Sequence, residues 1–591
     1  MKIKVNRNNL WTRIFIDQLA ALGIKHACIS PGSRSTPLTY ILSGNRKIKS
    51  FIHFDERSSA FFALGLAKAT GKPVLVVTTS GTAVAELYPA IIEAYQQRTP
   101  LIICTADRPP ELVGTGANQT INQHNIFRNH IRWFRDLGLP SISDTGFYHL
   151  QKIAIKAFRI SSSEDKGPVH LNFPFKKPLE PFSYTDSVSK SLFRTKPQRL
   201  LKYTSQVSTP KFEKSKELKA IVNQLTESEK GIMLVGPIEF DKNLIKRIKE
   251  LSSLLKYPVL ADGISQLRFN AGKNDNFIIS NFNSIFASQK FISEHNPDII
   301  LQIGRTPTSS ILETFLEDTG AIRYTIDHYG DKHDPTRTAK STIAINPTSF
   351  CETLISQLKE ENFKRSKSTW QKDFIRAEEI CEKIKSRNID RAKFPNEPSI
   401  ITEVIKIIPE GSRLIIGNSL PVRDLDNFFS KSSKRIEIYF NRGASGIDGI
   451  TSTALGLSSI KKRTLLITGD LSFLHDLSAL SAAVKYSIHL TIIVINNNGG
   501  GIFESLLIAN RIEHFEKFFI SPHNLDLGEI VKSFGIDHKL ITTRRELHRH
   551  LKNSFNFNIP SVLEIQTDSS KSVMLRTKIL SAAKKVLDKE F

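Results

Sequence analysis

What this chain has little of narrows its reading before any motif is considered. It carries four cysteines in 591 residues, Cys28, Cys104, Cys351 and Cys381, with no C-x-x-C pair and no metal-ligand spacing among them. That excludes a disulfide framework and a zinc site, and leaves reduced, buried thiols as the expectation. No apolar run comes near the roughly 18 residues that a membrane-spanning helix needs. The N-terminus, MKIKVNRNNLWTRIFIDQLAAL, lacks an uninterrupted apolar core as well. Its Trp11, Ile14, Phe15, Leu19 and Leu22 read as one face of an amphipathic helix, not as a targeting segment. A cytoplasmic location is expected. There is no short-period repeat and no low-complexity tract. Acid is the remaining scarcity: 58 Asp and Glu stand against 82 Lys and Arg, a formal net charge of +24. Such a balance favours anionic partners. The charge is dispersed, however, and no aromatic-interleaved basic motif accompanies it, which argues against nucleic acid. Steering of polycarboxylate substrates is the better use.

What is present is ordinary globular composition, 40% apolar and 24% charged, over a length that needs about two to four domains. From residue 1 to about 182, strand and helix patterns alternate: HACIS, KSFIHF, VLVVTTS, LIICTADRP and, as the last strand, GPVHLNFPF. Short β-rich runs separated by helices predict a doubly wound parallel sheet. A polar connector follows, Lys190 to Lys216, with eight basic residues against one acid. From about 215 to 355 come weaker copies, GIMLVGP, PVLADG, PDIILQIG and IRYTIDH, without a Gly-rich phosphate fingerprint. A charged helical connector (356–395) leads to the last third (396–591), with ITEVIKII as a helix and RLIIGNS and RIEIYFNRG as strands.

The last third contains the stretch that organises the rest, Thr464 to Phe503. Two apolar runs, Leu465–Thr468 and Leu490–Ile495, flank HDLSALSAAVKYS, where Leu477, Leu480 and Val484 recur at helical spacing. The pattern predicts a strand–helix–strand unit with parallel strands and a right-handed crossover. Asp470 and Asn497, 497 − 470 = 27 residues apart, then both sit at carboxyl ends of strands, where open α/β sheets bind ligands. Asp470 offers an anionic oxygen, Asn497 an amide carbonyl and Gly499 an unobstructed backbone carbonyl. One charge among three oxygens suits Mg²⁺, which completes its shell with phosphate and water. The NNNGGG turn and the helix start after it would supply N–H groups to a diphosphate. In HFDERSSAFFALGLAKATG, Asp55 and Glu56 stand where a strand gives way to a helix. Capping accounts for Asp55; for Glu56, capping and chemistry are equally open on sequence alone.

GDLSFLHDLSAL, NNNGGGIF, NRGASGIDG and PGSRSTP together resemble the thiamine-diphosphate enzymes, whose signature is GDG followed about 25–30 residues later by NN. Within them they resemble the branch of menaquinone biosynthesis that makes 2-succinyl-5-enolpyruvyl-6-hydroxy-3-cyclohexene-1-carboxylate. The resemblance is strong in the first and last thirds and weak in the middle. It implies three α/β domains in series, with thiamine diphosphate and Mg²⁺ (or Mn²⁺) between the outer two. It also implies decarboxylation of 2-oxoglutarate and addition of the resulting carbanion to isochorismate, in a homodimer or dimer of dimers with shared sites. A sister 2-oxo acid carboligase such as acetolactate synthase is the alternative. Glu56 matches the glutamate that hydrogen-bonds the cofactor's aminopyrimidine ring, where an apolar setting that raises its pKa helps. Ile447 matches the wedge that bends the cofactor. Gly469, Asp470, Asn497 and Ile502 fall at cofactor positions; Asp470, Asn497 and Gly499 fall at metal positions. Substrates with two carboxylates each call for arginine. The matching positions are Arg34, Arg108, Arg423 and Arg442, with Ser33, Gln119 and Ser419 as neutral donors and Phe503 lining the pocket. Two departures stand out. Leu471 replaces the signature's last glycine. In GRTPTSS, Ser310 stands where the resemblance places a lysine, so that either Arg305 substitutes or the second-substrate site differs.

Overall fold

The apolar runs become buried parallel strands. Val74–Thr78, Leu101–Asp107, Gly231–Val235 and Ile299–Ile303 are buried at every residue, as strands covered by helices on both faces must be. The structure is a computed structural model describing residues 2–163, 165–189, 193, 216–272, 274–365, 368–509, 511–556 and 560–591. Three six-stranded parallel sheets follow one another along the chain. The connector expected over Lys190–Lys216 lies, but for positions 193 and 216, outside the described residues.

The first sheet is ordered Lys49–Ile52, His26–Ile29, Val74–Thr78, Leu101–Asp107, Pro168–Pro174, Trp133–Asp136. The third is ordered Glu437–Tyr439, Arg413–Ile416, Thr464–Gly469, Thr491–Asn496, Ser561–Gln566, Asp537–Leu540. With strands numbered in chain order inside each sheet, both read 2-1-3-4-6-5. The middle sheet runs Ile278–Ile279, Val259–Ala261, Gly231–Val235, Ile299–Ile303, Ile322–Asp327, Ser341–Ala344 and reads 3-2-1-4-5-6. The outer sheets therefore reverse direction between their first and third strands, the middle one between its first and fourth.

Several details differ from the sequence reading. The edge strand Trp133–Asp136, half-buried and with Arg135 exposed, has no apolar run to announce it. Lys2–Val5 pairs antiparallel with Asp186–Ser189, a contact between segments far apart in sequence. The helix after Thr464–Gly469 is two short pieces, Asp470–His475 and Ala479–Lys485, and Val484 is exposed while Leu480 and Ala483 face the core. The charged helical segment before the last third does more than connect. Its helix Thr369–Arg391 buries Trp370, Phe374, Ala377 and Cys381 on the middle domain, where the C-terminal helix Ser569–Glu590 returns to join them. All four cysteines are buried and unpaired, as expected.

The outer domains share one core, in which Phe51, Phe62 and Val76 meet Ile450, Leu466 and Phe473. Helix Glu56–Thr70 crosses helix Ile450–Ser458 so closely that a Cβ on Gly65 would lie 2.1 Å from the Thr453 carbonyl oxygen. No helix among the described residues is long and apolar enough to cross a membrane.

Candidate active site at the carboxyl ends of the outer sheets

Strand Thr464–Gly469 delivers Asp470 as the first residue of a helix, and strand Thr491–Asn496 delivers Asn497 beside it. Asp470 is buried. One carboxylate oxygen accepts from the Leu471 N–H at 2.7 Å, the other from the Gly499 N–H at 3.0 Å and from His523 Nε2 at 3.4 Å. Burial pushes the Asp470 carboxyl up, and these hydrogen bonds oppose the shift. Asn497 donates through Nδ2 to Glu397 at 2.9 Å, which fixes the amide's orientation. Its Oδ1 is then left buried without a donor. An orphaned amide oxygen beside a single buried carboxylate is a donor set that fits a divalent cation. Gly499 sits at φ +146°, and a Cβ there would lie 2.2 Å from the Ile520 carbonyl oxygen. Its own carbonyl accepts from the Gly501 N–H at 3.0 Å. Gly469, by contrast, faces open space: a Cβ added to it would meet nothing within 4 Å. Leu471 lies within the helix, so the missing signature glycine leaves no backbone strain.

Other residues here escaped the sequence reading. Arg576 pairs with both Glu397 and Asp424, so a buried ionic group stands behind Asn497. The His523 ring accepts the Leu525 N–H on Nδ1 at 3.0 Å, which leaves Nε2 as the donor toward Asp470. Neither belongs to a motif; both are brought in from distant segments. Ile447 is 39% exposed although apolar, and the Ser472 hydroxyl donates to its carbonyl at 2.7 Å, tying it to the helix that starts at Asp470. Phe503, 37% exposed, sits with half-buried Ile502 in the turn Gly501–Ser505.

In the first domain Asp55 caps helix Glu56–Thr70, accepting from the Ser58 N–H at 3.0 Å. Glu56 is half-buried, and burial raises its carboxyl, aided by the charges of Asp55 and Glu86. Among the described residues no hydrogen bond or ion pair joins Glu56 to Asp470, Asn497 or Gly499 of the same chain. Its neighbour Arg57 reaches the carbonyl of His475 at 2.8 Å.

The arginines form two clusters. Arg34 and Ser33 lie in the turn Ser33–Ser35, and Arg34 donates to the Phe175 carbonyl at 2.8 Å. Arg108 donates to the Ser80 hydroxyl and, at 2.7 Å, to the carbonyl of Gln119, whose amide returns to the Ser80 carbonyl. In the third domain Arg423 donates to the Ser419 carbonyl at 2.8 Å, and Arg442 to Asn418 Oδ1 at 3.3 Å and to Thr308 of the middle domain. Burial lowers the pKa of all four, and the Arg108 charge adds to it at Arg34 and the Arg423 charge at Arg442. Arg98, Arg268, Arg323, Arg413 and Arg576 all sit against carboxylates. Among the described residues Arg34, Arg108, Arg423 and Arg442 form no such ion pair. Arg305 donates to the carbonyls of Arg442 and Gln96, and Ser310 opens helix Ser310–Asp318. Asp327, Asp331 and His333 of the middle domain come within 4.8 Å of one another, but Asp331 is a bidentate acceptor for Arg98.

Two equivalent sheets with ligand-type residues at their reversal points fit a thiamine-diphosphate enzyme. Three family models agree in sequence: thiamine pyrophosphate enzyme, N-terminal TPP binding domain over residues 11–126, middle domain of thiamine pyrophosphate over 195–416, and C-terminal TPP binding domain over 432–565. The chain belongs to the family of 2-succinyl-5-enolpyruvyl-6-hydroxy-3-cyclohexene-1-carboxylate synthases. It is 35% identical over 569 residues to the one of Bacillus cytotoxicus, covering 96% of this chain and 95% of that protein. It is 36% identical over 565 residues to that of Trichodesmium erythraeum, with 95% and 96% covered. In fold it is similar to benzoylformate decarboxylase from Polynucleobacter necessarius, with a TM-score of 0.68 at 16% identity over 95% of this chain and 98% of that one.

Proposed function

We propose that the chain joins the four-carbon unit left by decarboxylation of 2-oxoglutarate to isochorismate, releasing CO₂ and 2-succinyl-5-enolpyruvyl-6-hydroxy-3-cyclohexene-1-carboxylate in menaquinone biosynthesis. Beside the kinship already given, one observation carries the reading: among the described residues, four buried or half-buried arginines at the sheet ends are not ion-paired with the chain's own carboxylates. Desolvated cations without a direct ion-pair partner are costly unless a ligand supplies the charge, and the two substrates bring two carboxylates each.

Thiamine diphosphate, when bound, supplies the carbon nucleophile and the electron sink of the reaction. Asp470, the Asn497 Oδ1 and the Gly499 carbonyl would hold its Mg²⁺, or Mn²⁺ in its place, and the open space at Gly469 would take the diphosphate. Ile447 would press against the cofactor's rings, with Ile502 beside it. The Glu56 carboxyl, kept protonated more readily by burial, would donate to the aminopyrimidine ring. Arg423 and Arg442, with Ser419, would orient one acid; Arg34 and Arg108, with Ser33 and Gln119, the other. Phe503 would help exclude water, so that the nucleophilic carbon meets isochorismate before a proton. That no hydrogen bond or ion pair among the described residues joins Glu56 to Asp470 within one chain fits a homodimer in which each site takes Glu56 from one subunit and Asp470 from the other.

The test is product identity. With thiamine diphosphate and Mg²⁺, 2-oxoglutarate plus isochorismate gives the succinylated ring acid, and pyruvate in place of 2-oxoglutarate gives little or no product. Acetolactate from pyruvate at comparable rate would overturn the assignment in favour of an acetolactate-type enzyme.

A further inference from the structure

The loop that carries Arg442 is held from outside its own domain. Residues 440–444 leave the edge strand Glu437–Tyr439 as irregular backbone, and three charged side chains from the other two domains meet them in turn. Lys68 donates to the Phe440 carbonyl and, at 2.8 Å, to Asn441 Oδ1. Arg305 donates to the Arg442 carbonyl at 3.1 Å. Glu93 accepts the Gly443 N–H at 2.9 Å on one carboxylate oxygen and the Ala444 N–H at 2.7 Å on the other. Glu93 is only 3% exposed, and the approach is so close that a Cβ on Gly443 would lie 2.9 Å from Glu93 Oε2 and from the Glu93 carbonyl oxygen. Thr308 touches the Arg442 side chain itself.

The loop needs such holding because of what it presents. Arg442 and Arg423 repel one another in a half-buried setting, and among the described residues neither forms a direct ion pair, so an unsupported loop would swing its guanidinium out to water. A carboxylate that accepts two adjacent backbone N–H groups fixes the peptide planes on both sides of Gly443 and so the direction in which Arg442 leaves the chain. We infer that Glu93 is a positioning residue for Arg442, supported by Lys68 and Arg305, and that the first and middle domains thereby set the affinity for the substrate acid that Arg442 binds. The inference rests on the reading of Arg442 as a substrate-carboxylate partner.

Steady-state kinetics with each substrate varied in turn test this on the full-length enzyme. Arg442→Ala should raise the KM of one acid. Glu93→Gln, which can offer only one acceptor to the two N–H groups, should raise the KM of the same acid about tenfold, and Thr308→Val about threefold, with kcat changed less. Placed in the Arg442→Ala background, neither substitution should change that KM by more than about twofold, because the residue through which they act is gone. Additive effects there, or single variants whose KM stays at the wild-type value, overturn the positioning role. Wild-type kinetics in Arg442→Ala would instead overturn the substrate reading and this inference together, and is distinguishable from the former. A structural role alone would lower the melting temperature without moving KM. Should Glu93→Gln fail to fold, Thr308→Val, which alters only a partly exposed hydroxyl, decides the matter by the same comparison.

Discussion

The outer sheets and the middle sheet have the same number of strands and the same parallel sense, yet they use their carboxyl ends in opposite ways. In the third domain one side of the reversal point is open: Gly469, ending the third strand, has nothing within 4 Å of its Cβ position, while a Cβ on Gly417, after the first strand, would lie 3.1 Å from the Ile467 carbonyl oxygen. In the middle domain it is closed, since a Cβ on Gly236 would lie 1.6 Å from the Arg305 carbonyl oxygen and one on Gly304 would lie 2.6 Å from Ile238. The strand order 3-2-1-4-5-6 is the one that holds dinucleotides at its reversal point in other α/β proteins. Here the loops leaving that point face the third domain instead. Arg305 and Thr308 reach Arg442. From the loop after the neighbouring strand, the fully buried Arg268 binds Asp426 and the carbonyl of Phe429, and Gln266 exchanges two hydrogen bonds with Ile438, an edge-strand residue. A ligand-binding topology has become a docking surface, and the lesson is that strand order locates a crevice without saying what fills it.

The largest expected effect separates open from closed ends. Asp470→Ala removes the one anionic ligand in the proposed metal site. Partners one shell further from a metal already account for about 10–100-fold in affinity, so a loss on the order of a hundredfold or more is expected. Calorimetric titration of thiamine diphosphate with Mg²⁺ present measures it, and undiminished binding would break the comparison at its base.

The next effect concerns how the two outer domains combine. Glu56→Gln and Asp470→Ala chains, each inactive alone, should restore activity when co-expressed if each site draws on two subunits. Random pairing makes about half the dimers mixed, and one of two sites in each is intact, so about a quarter of wild-type activity should return. Sites built from one chain would return nothing.

How far this difference between domains was legible in the sequence follows from where the signals lie. Asp470, Asn497 and Gly499 follow closely on strongly β-branched strands, so local pattern and spacing put them at sheet ends. The three-domain α/β order was legible for the same reason. Trp133–Asp136 was not, because an edge strand exposes part of its surface and loses the continuous apolar run that marks a central one. Helix Thr369–Arg391 was legible as a charged helix but not as a packed one, because its charges outnumber the apolar stripe that docks. Glu397, Arg576 and His523 were invisible: each is an ordinary charged or polar residue until the chain brings it behind Asn497 or Asp470. Arg305 was noticed, but its attachment to the Arg442 backbone depends on the packing of two domains, which no local pattern encodes.

A pair of glycine substitutions sharpens the contrast between open and filled ends. Gly236→Ala forces a methyl group against a backbone carbonyl that cannot give way, and should cost about 3 kcal/mol or more in chemical denaturation, at or beyond the upper end for overpacked cores. Gly469→Ala, at φ −83° and facing open space, should change stability by no more than about 0.5 kcal/mol while weakening thiamine diphosphate binding. Equal destabilisation by both would show that the ends do not differ in this way.

A last effect comes from the junction that joins the outer domains. Asp476 is fully buried there; its carboxylate accepts the Ser452 N–H at 2.6 Å and the Ser452 hydroxyl at 2.8 Å, and Ser452 meets Ser58 of the first domain. Burial raises its pKa from the ordinary aspartate value of 3.8 to about 7; the two Ser452 hydrogen bonds and the Arg57 charge oppose the shift, and the Asp55 charge adds to it. Between those two values the folded protein holds a proton that the unfolded chain has released. Stability therefore falls as pH rises through this window, with the penalty absent below about 4 and complete above about 7. Asp476→Asn keeps an acceptor for the Ser452 N–H and cannot ionise. Melting temperatures of the two proteins, followed from pH 5 to 8 in one buffer series, should show wild type losing ground to the variant up to about pH 7 and running parallel to it beyond. A difference that is constant across the range, or that moves in wild type's favour as pH rises, would mean that Asp476 is ionised in the fold and that the junction between the outer domains tolerates a charge.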